Sequence, residues 1–111
     1  MLSPGWRAQV KTAFFAAVSG DNTVVAAVTG KRIRVFGYTL SSNGTVNAQW
    51  KSGASTNISS LKYMLAGTQV QAPTCPDGSY WFHTARGDAL VLNLSAAISV
   101  GVDVIYAEVD D

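Results

Sequence analysis

The 111-residue sequence predicts an all-β fold, an antiparallel β-sandwich of jelly-roll-like architecture with about eight strands, and three observations predict it. Turn residues recur at short intervals, in Ser19-Gly20-Asp21-Asn22, Thr29-Gly30-Lys31, Ser42-Asn43-Gly44, Lys51-Ser52-Gly53, Ala66-Gly67, Pro76-Asp77-Gly78 and Arg86-Gly87-Asp88. The segments between them are rich in Val, Ile, Thr, Phe, Tyr and Trp, whose branched or flat side chains suit a pleated, half-buried surface. Charged residues make up only 14% against 48% hydrophobic ones, so Ser, Thr, Asn, Gln and Gly must cover much of the surface, as they do on sheets.

Residues 1–9 contain Pro4, Gly5 and Trp6 and read as an extended N-terminal arm ahead of a single sandwich domain over 10–111. An arm that carries a tryptophan is expected to dock. Residues 9–18 follow as the first strand. Their apolar run, Ala13 to Val18 behind Arg7 and Lys11, is too short for a signal peptide and is closed by Gly20-Asp21-Asn22. No stretch reaches the ~18 to 20 apolar residues of a spanning helix, so a soluble protein with no membrane partner is expected.

Strands are expected next over 23–28 and 32–40, and over 45–51 as the second arm of a hairpin. Asn43-Gly44 can take the positive φ values that a two-residue type I′ turn requires. Pairing outward from Ser42 and Thr45 would set Gly37 opposite Trp50, on a core face shared with Ile33, Val35, Val46 and Ala48. The other face would then carry Arg34, Phe36, Tyr38 and Leu40 against Asn47, Gln49 and Lys51, a mixture unlike an ordinary solvent face.

Residues 59–66 could place Leu61, Met64 and Leu65 on one side of a helix, but the run is short and lacks acidic residues in its first turn, so 57–65 is read as a strand. A short strand is expected around 80–83. Leu90, Leu92 and Leu94 alternate with Val91 and Asn93, and Val100, Val102, Val104 and Tyr106 alternate with Gly101, Asp103 and Ile105, as half-buried strands do.

Little in the chain carries chemistry. The formal net charge of +1 provides no field to steer the protein to nucleic acid. The single cysteine, Cys75, excludes an internal disulfide and a multi-cysteine zinc site, and no basic residue beside it in sequence would activate the thiol. His83 is the only histidine, so no histidine cluster can hold a metal. An enzyme would need His83 to meet Asp77 or Asp88. Nothing else resembles a catalytic pair, a phosphate loop or a nucleophile elbow, so no catalysis and no cofactor are expected. Arg86-Gly87-Asp88 spells an integrin-binding tripeptide but reads better as a bend between strands. Asn43, Asn57 and Asn93 fit the glycosylation pattern, as a Ser/Thr/Asn-rich chain does by chance.

Thr23-Val24-Val25-Ala26-Ala27-Val28, Gly30-Lys31-Arg32-Ile33-Arg34-Val35, Lys51-Ser52-Gly53, Phe82-His83-Thr84, Gly87-Asp88-Ala89-Leu90 and Leu92-Asn93-Leu94-Ser95 resemble small virion proteins of tailed bacteriophages, over most of the chain after about Ala13. Some members of that group are capsid decoration, or cement, proteins, and the length and all-β pattern are similar to the jelly-roll staple of short-tailed phages. The resemblance implies a protein on the outer surface of the virion, assembled in the host cytoplasm, that oligomerises and staples neighbouring subunits of the phage major capsid protein. Self-association as a homodimer is expected before a homotrimer. The interface expected from the sequence is Trp6, Arg34, Phe36, Tyr38, Leu40 and Trp81. The alternative is a receptor- or carbohydrate-binding module of a phage fibre or tail, with Trp81 or Tyr80 as a stacking platform.

Overall fold

A computed structural model describes residues 11–17, 19–75 and 79–110. Among them no residue is helical, and ten strands form: β1 Lys11–Ala17, β2 Gly20–Val25, β3 Arg32–Ser42, β4 Val46–Ser52, β5 Thr56–Asn57, β6 Lys62–Met64, β7 Gln69–Ala72, β8 Phe82–His83, β9 Leu90–Leu94 and β10 Val100–Val109. All pairings are antiparallel. One sheet runs β1-β10-β3-β7 with β8 also on β3, and the other runs β2-β9-β4-β5 with β6 also on β4. Taking β5 with β6, and β7 with β8, as interrupted strands leaves two four-membered sheets, and the chain changes sheet at every step except from β4 to the β5/β6 strand, the order of a jelly roll. The predicted sandwich is therefore present.

The interior follows from period-two alternation. In β4, Val46, Ala48 and Trp50 are buried while Asn47, Gln49 and Lys51 between them are partly exposed. In β9, Leu90, Leu92 and Leu94 point inward, and in β10 Val100, Val102 and Val104 do. These side chains meet those of β3 in one core cluster, at whose centre Trp50 meets Tyr38 edge-on at 5.3 Å and lies 5.9 Å from Phe82. Burial of this much aliphatic and aromatic surface, at ~25 cal/mol per Å², is the main force holding the sheets together.

Three sequence expectations are corrected here. First, β3 and β4 do not form a hairpin: they lie in different sheets, and residues 43–45 arch across the sandwich. Neither Asn43 nor Gly44 has a positive φ, so no type I′ turn exists. Ser42 Oγ instead accepts from the Gly44 N–H and donates to the Gly44 carbonyl, and the Asn43 N–H reaches the Ser99 carbonyl at 3.0 Å. Gly44 packs closely against Ile98: a Cβ there would stand 2.9 Å from Ile98 Cδ1, so that side chain would have to shift.

Second, β3 changes face along its length. Against β10 the register steps from Gly37 opposite Ile105 to Val35 opposite Tyr106, leaving Phe36 as the extra residue of a β-bulge. Ile33 and Val35 point inward before the bulge, and Tyr38, Leu40 and Ser42 point inward after it. Tyr38 and Leu40 are therefore core residues, and Phe36 is likewise buried within the chain. None of the three is available as the partner interface expected of them.

Third, Gly37 does not make room for Trp50. A Cβ on Gly37 would sit 3.0 Å from the Ala72 carbonyl oxygen and 3.1 Å from Thr74 Cα, so its missing side chain lets the segment after β7 cross close over the sheet.

Element boundaries also differ. The strand expected over 23–28 is β2, shifted to Gly20–Val25, and that over 57–65 shrinks to β6. Strand β7 was not foreseen. The 1–9 arm with Trp6 lies outside the described residues.

Candidate binding surfaces

Strand β8 is two residues long, yet its register fixes the first surface. Phe82 pairs with Val35 and points inward, where its ring lies 5.9 Å from both Tyr38 and Trp50. His83 pairs with Arg34 and points outward. The next residue, Thr84, is fully buried, with its N–H bonded to the Ile33 carbonyl and its Oγ1 accepting the Ile33 N–H at 2.9 Å. With Phe82 and Thr84 anchored inside, Tyr80, Trp81 and His83 are held at the edge of the sheet.

There the Tyr80 ring stacks on the His83 imidazole at 5.2 Å and 17°, and the Arg34 guanidinium lies 4.4 Å from the Tyr80 ring centroid. Cation–π attraction and ring stacking thus lock Tyr80 in place. Arg32 Nη1 is 3.3 Å from His83 Nε2 and donates to the Thr84 carbonyl. A guanidinium can only donate, so Nε2 is the acceptor in this contact. Trp81 donates its indole N–H to the Pro73 carbonyl at 2.9 Å and its main-chain N–H to Val35. Tyr80 and Trp81 remain 42% and 48% exposed. Of the interface residues expected from sequence, Arg34 and Trp81 belong to this cluster.

The second surface was not foreseen. On β6 and its flanks Leu61, Tyr63 and Leu65 project outward at alternate positions, Tyr63 being 74% and Leu65 65% exposed, while Met64 between them is buried. The available signal was the alternation Leu-x-Tyr-x-Leu within the strand read over 57–65.

The two surfaces share one lateral side of the sandwich, because β6 and β7 are joined across the sheets by the short turn 65–68, in which the Thr68 N–H bonds to the Leu65 carbonyl. They lie toward opposite ends of it. Strand β8 faces Arg34 and Val35, whereas β6 faces Val46 to Ala48 beside the arch. At ~3.3 Å per residue that is a separation of roughly 20 Å.

Several other polar groups are tied into the framework. Asp88, in the Arg86-Gly87-Asp88 bend, accepts a 2.8 Å bond from Ser52 Oγ, and Gly87 takes a φ of 84° that only glycine adopts readily. Asp88 is thus tied to β4, while His83 faces Arg32 and Tyr80, so the structure does not join these two into a pair. Asp77 lies outside the described residues. On the outer face of the second sheet, Asn93 Nδ2 donates to Asp21 Oδ1 at 2.7 Å, and Lys51 Nζ lies 3.3 Å from the same oxygen. The Asn93 bond first, and Lys51 second, hold the Asp21 carboxyl below its ordinary pKa. Cys75 is partly buried and in no disulfide, and its main-chain N–H bonds to the Phe36 carbonyl. Among the described residues no group of three or more His, Cys, Asp or Glu is placed to hold a metal, and no helix is long and apolar enough to cross a membrane.

No protein-family model, no curated protein and no solved structure matches this chain.

Proposed function

We propose that this protein is an adhesive structural module, a bacteriophage capsid decoration protein that oligomerises on the outside of the head and staples neighbouring major capsid protein subunits. The observation that carries the reading is the pair of exposed aromatic patches, around Tyr80 and Trp81 and around Tyr63, held apart on one rigid sandwich. A staple needs two contact surfaces at a fixed separation. Half-exposed aromatic side chains whose orientation is already set bind with little further loss of conformational entropy. Each contact can be weak, because repetition over a symmetric shell multiplies it by avidity.

The test is to add purified protein to mature particles that lack it. Retention in a copy number matching the shell symmetry, with slower bursting on heating, is the expected result. A wild-type protein that no shell retains overturns the assignment.

A second reading has one observation in its favour: the Trp81 indole is fixed by its bond to Pro73 and open on its exposed side, as a sugar-stacking platform requires. Glycan-array binding abolished by Trp81→Ala would replace capsid stapling with receptor or carbohydrate recognition.

A further inference from the structure

We propose that β6 is a self-association edge, pairing antiparallel with β6 of a second copy about a two-fold axis at Tyr63. This deepens the adhesive reading by assigning one of the two patches to a copy of the same chain, which leaves the Tyr80 and Trp81 patch for the shell.

The backbone supplies the first step. Asn47 in β4 directs both main-chain groups away from β6: its N–H bonds to Ser95 Oγ and its carbonyl accepts the Ser95 N–H. Main-chain direction alternates along a strand, so Val46 and Ala48 are the residues of β4 that face β6. Trp50 agrees with this phase, since its N–H and carbonyl meet Ser59 Oγ and the Ile58 N–H. Met64 and Lys62, opposite Val46 and Ala48, are therefore the hydrogen-bonded partners, and Tyr63, opposite Asn47, aims its N–H and carbonyl outward. Among the described residues β4 is the only strand paired with β6. An exposed donor and acceptor on one residue, flanked by apolar side chains, form a template for strand addition.

The second step identifies the occupant. Leu61, Tyr63 and Leu65 give the same pattern read in either direction from Tyr63. An antiparallel copy would set Tyr63 against Tyr63, exchanging both main-chain bonds, and each Leu61 against Leu65 of the other copy. Such a contact is self-complementary and closed. Charge permits it: Lys62 is held by Ser60 Oγ at 3.0 Å on its own chain, and in this register it lies opposite Met64 of the copy, not opposite another lysine. Three large side chains fall well short of the ~800 Å² per partner of a standard interface, so the free dimer is weak and concentration-dependent.

The experiment is sedimentation velocity on the full chain from micromolar to millimolar concentration. A monomer–dimer equilibrium is expected, weakened at least tenfold by Tyr63→Pro, which removes the outward N–H without touching a bond inside the chain, and by Leu65→Lys, which breaks the apolar pairing. Circular dichroism confirms that each variant keeps its β signature. In a Cys75→Ser background, Tyr63→Cys should cross-link to itself, whereas Leu61→Cys and Leu65→Cys should cross-link only when mixed. A chain monomeric throughout, a dimer indifferent to both substitutions, or Leu61→Cys cross-linking with itself overturns the proposal. No particle enters this measurement, so loss of shell retention with the dimer intact would count against the capsid reading alone.

Discussion

Thr84 shows how much one side chain can decide. It sits fully buried at the end of β8, and its hydroxyl is an acceptor for the Ile33 N–H. Thr84→Val keeps the shape and removes the acceptor, so we expect a loss of about 1 to 3 kcal/mol in denaturant unfolding. Tyr38 is buried beside Trp50, and burial raises its phenol pKa, with the Trp50 indole N–H offsetting part of the shift. A raised folded-state pKa means that stability is fully present below the unfolded value of ~10 and is lost as pH rises through the folded one. Tyr38→Phe should flatten the alkaline limb of a stability–pH curve. Asp21 behaves in the opposite sense: its lowered pKa contributes stability above the unfolded value of ~3.9, which is lost as pH falls through the folded one. Because the site is exposed, Asp21→Asn should flatten the acid limb by under ~1 kcal/mol. The inward placement of Ile33, Val35, Val46, Ala48 and Trp50 was legible from alternation alone. That of Tyr38 and Leu40 was not, because the bulge at Phe36 inverts the phase of β3 and leaves no mark in the residue types.

Strand β3 and its neighbours carry the larger lesson at the level of elements. Asn43-Gly44 between two alternating runs satisfies every local requirement of a hairpin, yet the chain uses it to cross between sheets. A hairpin would have kept β3 and β4 in one sheet, whereas the arch lets both bury an apolar face against each other. Strand β7, Gln69–Ala72, escaped sequence reasoning because its only large apolar residue is Val70, and pairing with Tyr38 to Ser41 sets its conformation. The segment following β7 depends on Gly37. Since backbone atoms of Ala72 and Thr74 would meet an added Cβ, Gly37→Ala should displace residues 73–75, cost about 1 to 3 kcal/mol in thermal unfolding, and loosen Trp81 through its bond to Pro73. Quenching of Trp81 fluorescence, measured with Trp6 and Trp50 as internal references, would register that loosening.

For the molecule as a whole, stability and adhesion reside in different residues. The doubly substituted Tyr80→Ala, Trp81→Ala protein should lose little stability compared with a core change such as Trp50→Ala, for which ~3 to 5 kcal/mol is expected, yet should no longer be retained on particles. A comparison of melting curves with particle retention checks both halves. If the two properties fall together, the patch is part of the framework and not a contact surface.

What the sequence determined by itself was the class of the fold and most of its interior, because turn spacing and period-two alternation are local properties that each strand imposes wherever it packs. Tertiary structure alone decided which strands are neighbours, where β3 changes face, and therefore which aromatic side chains remain outside. Those outcomes depend on contacts between residues far apart in the chain, such as Gly37 with Thr74 and Gly44 with Ile98, and no local pattern encodes them.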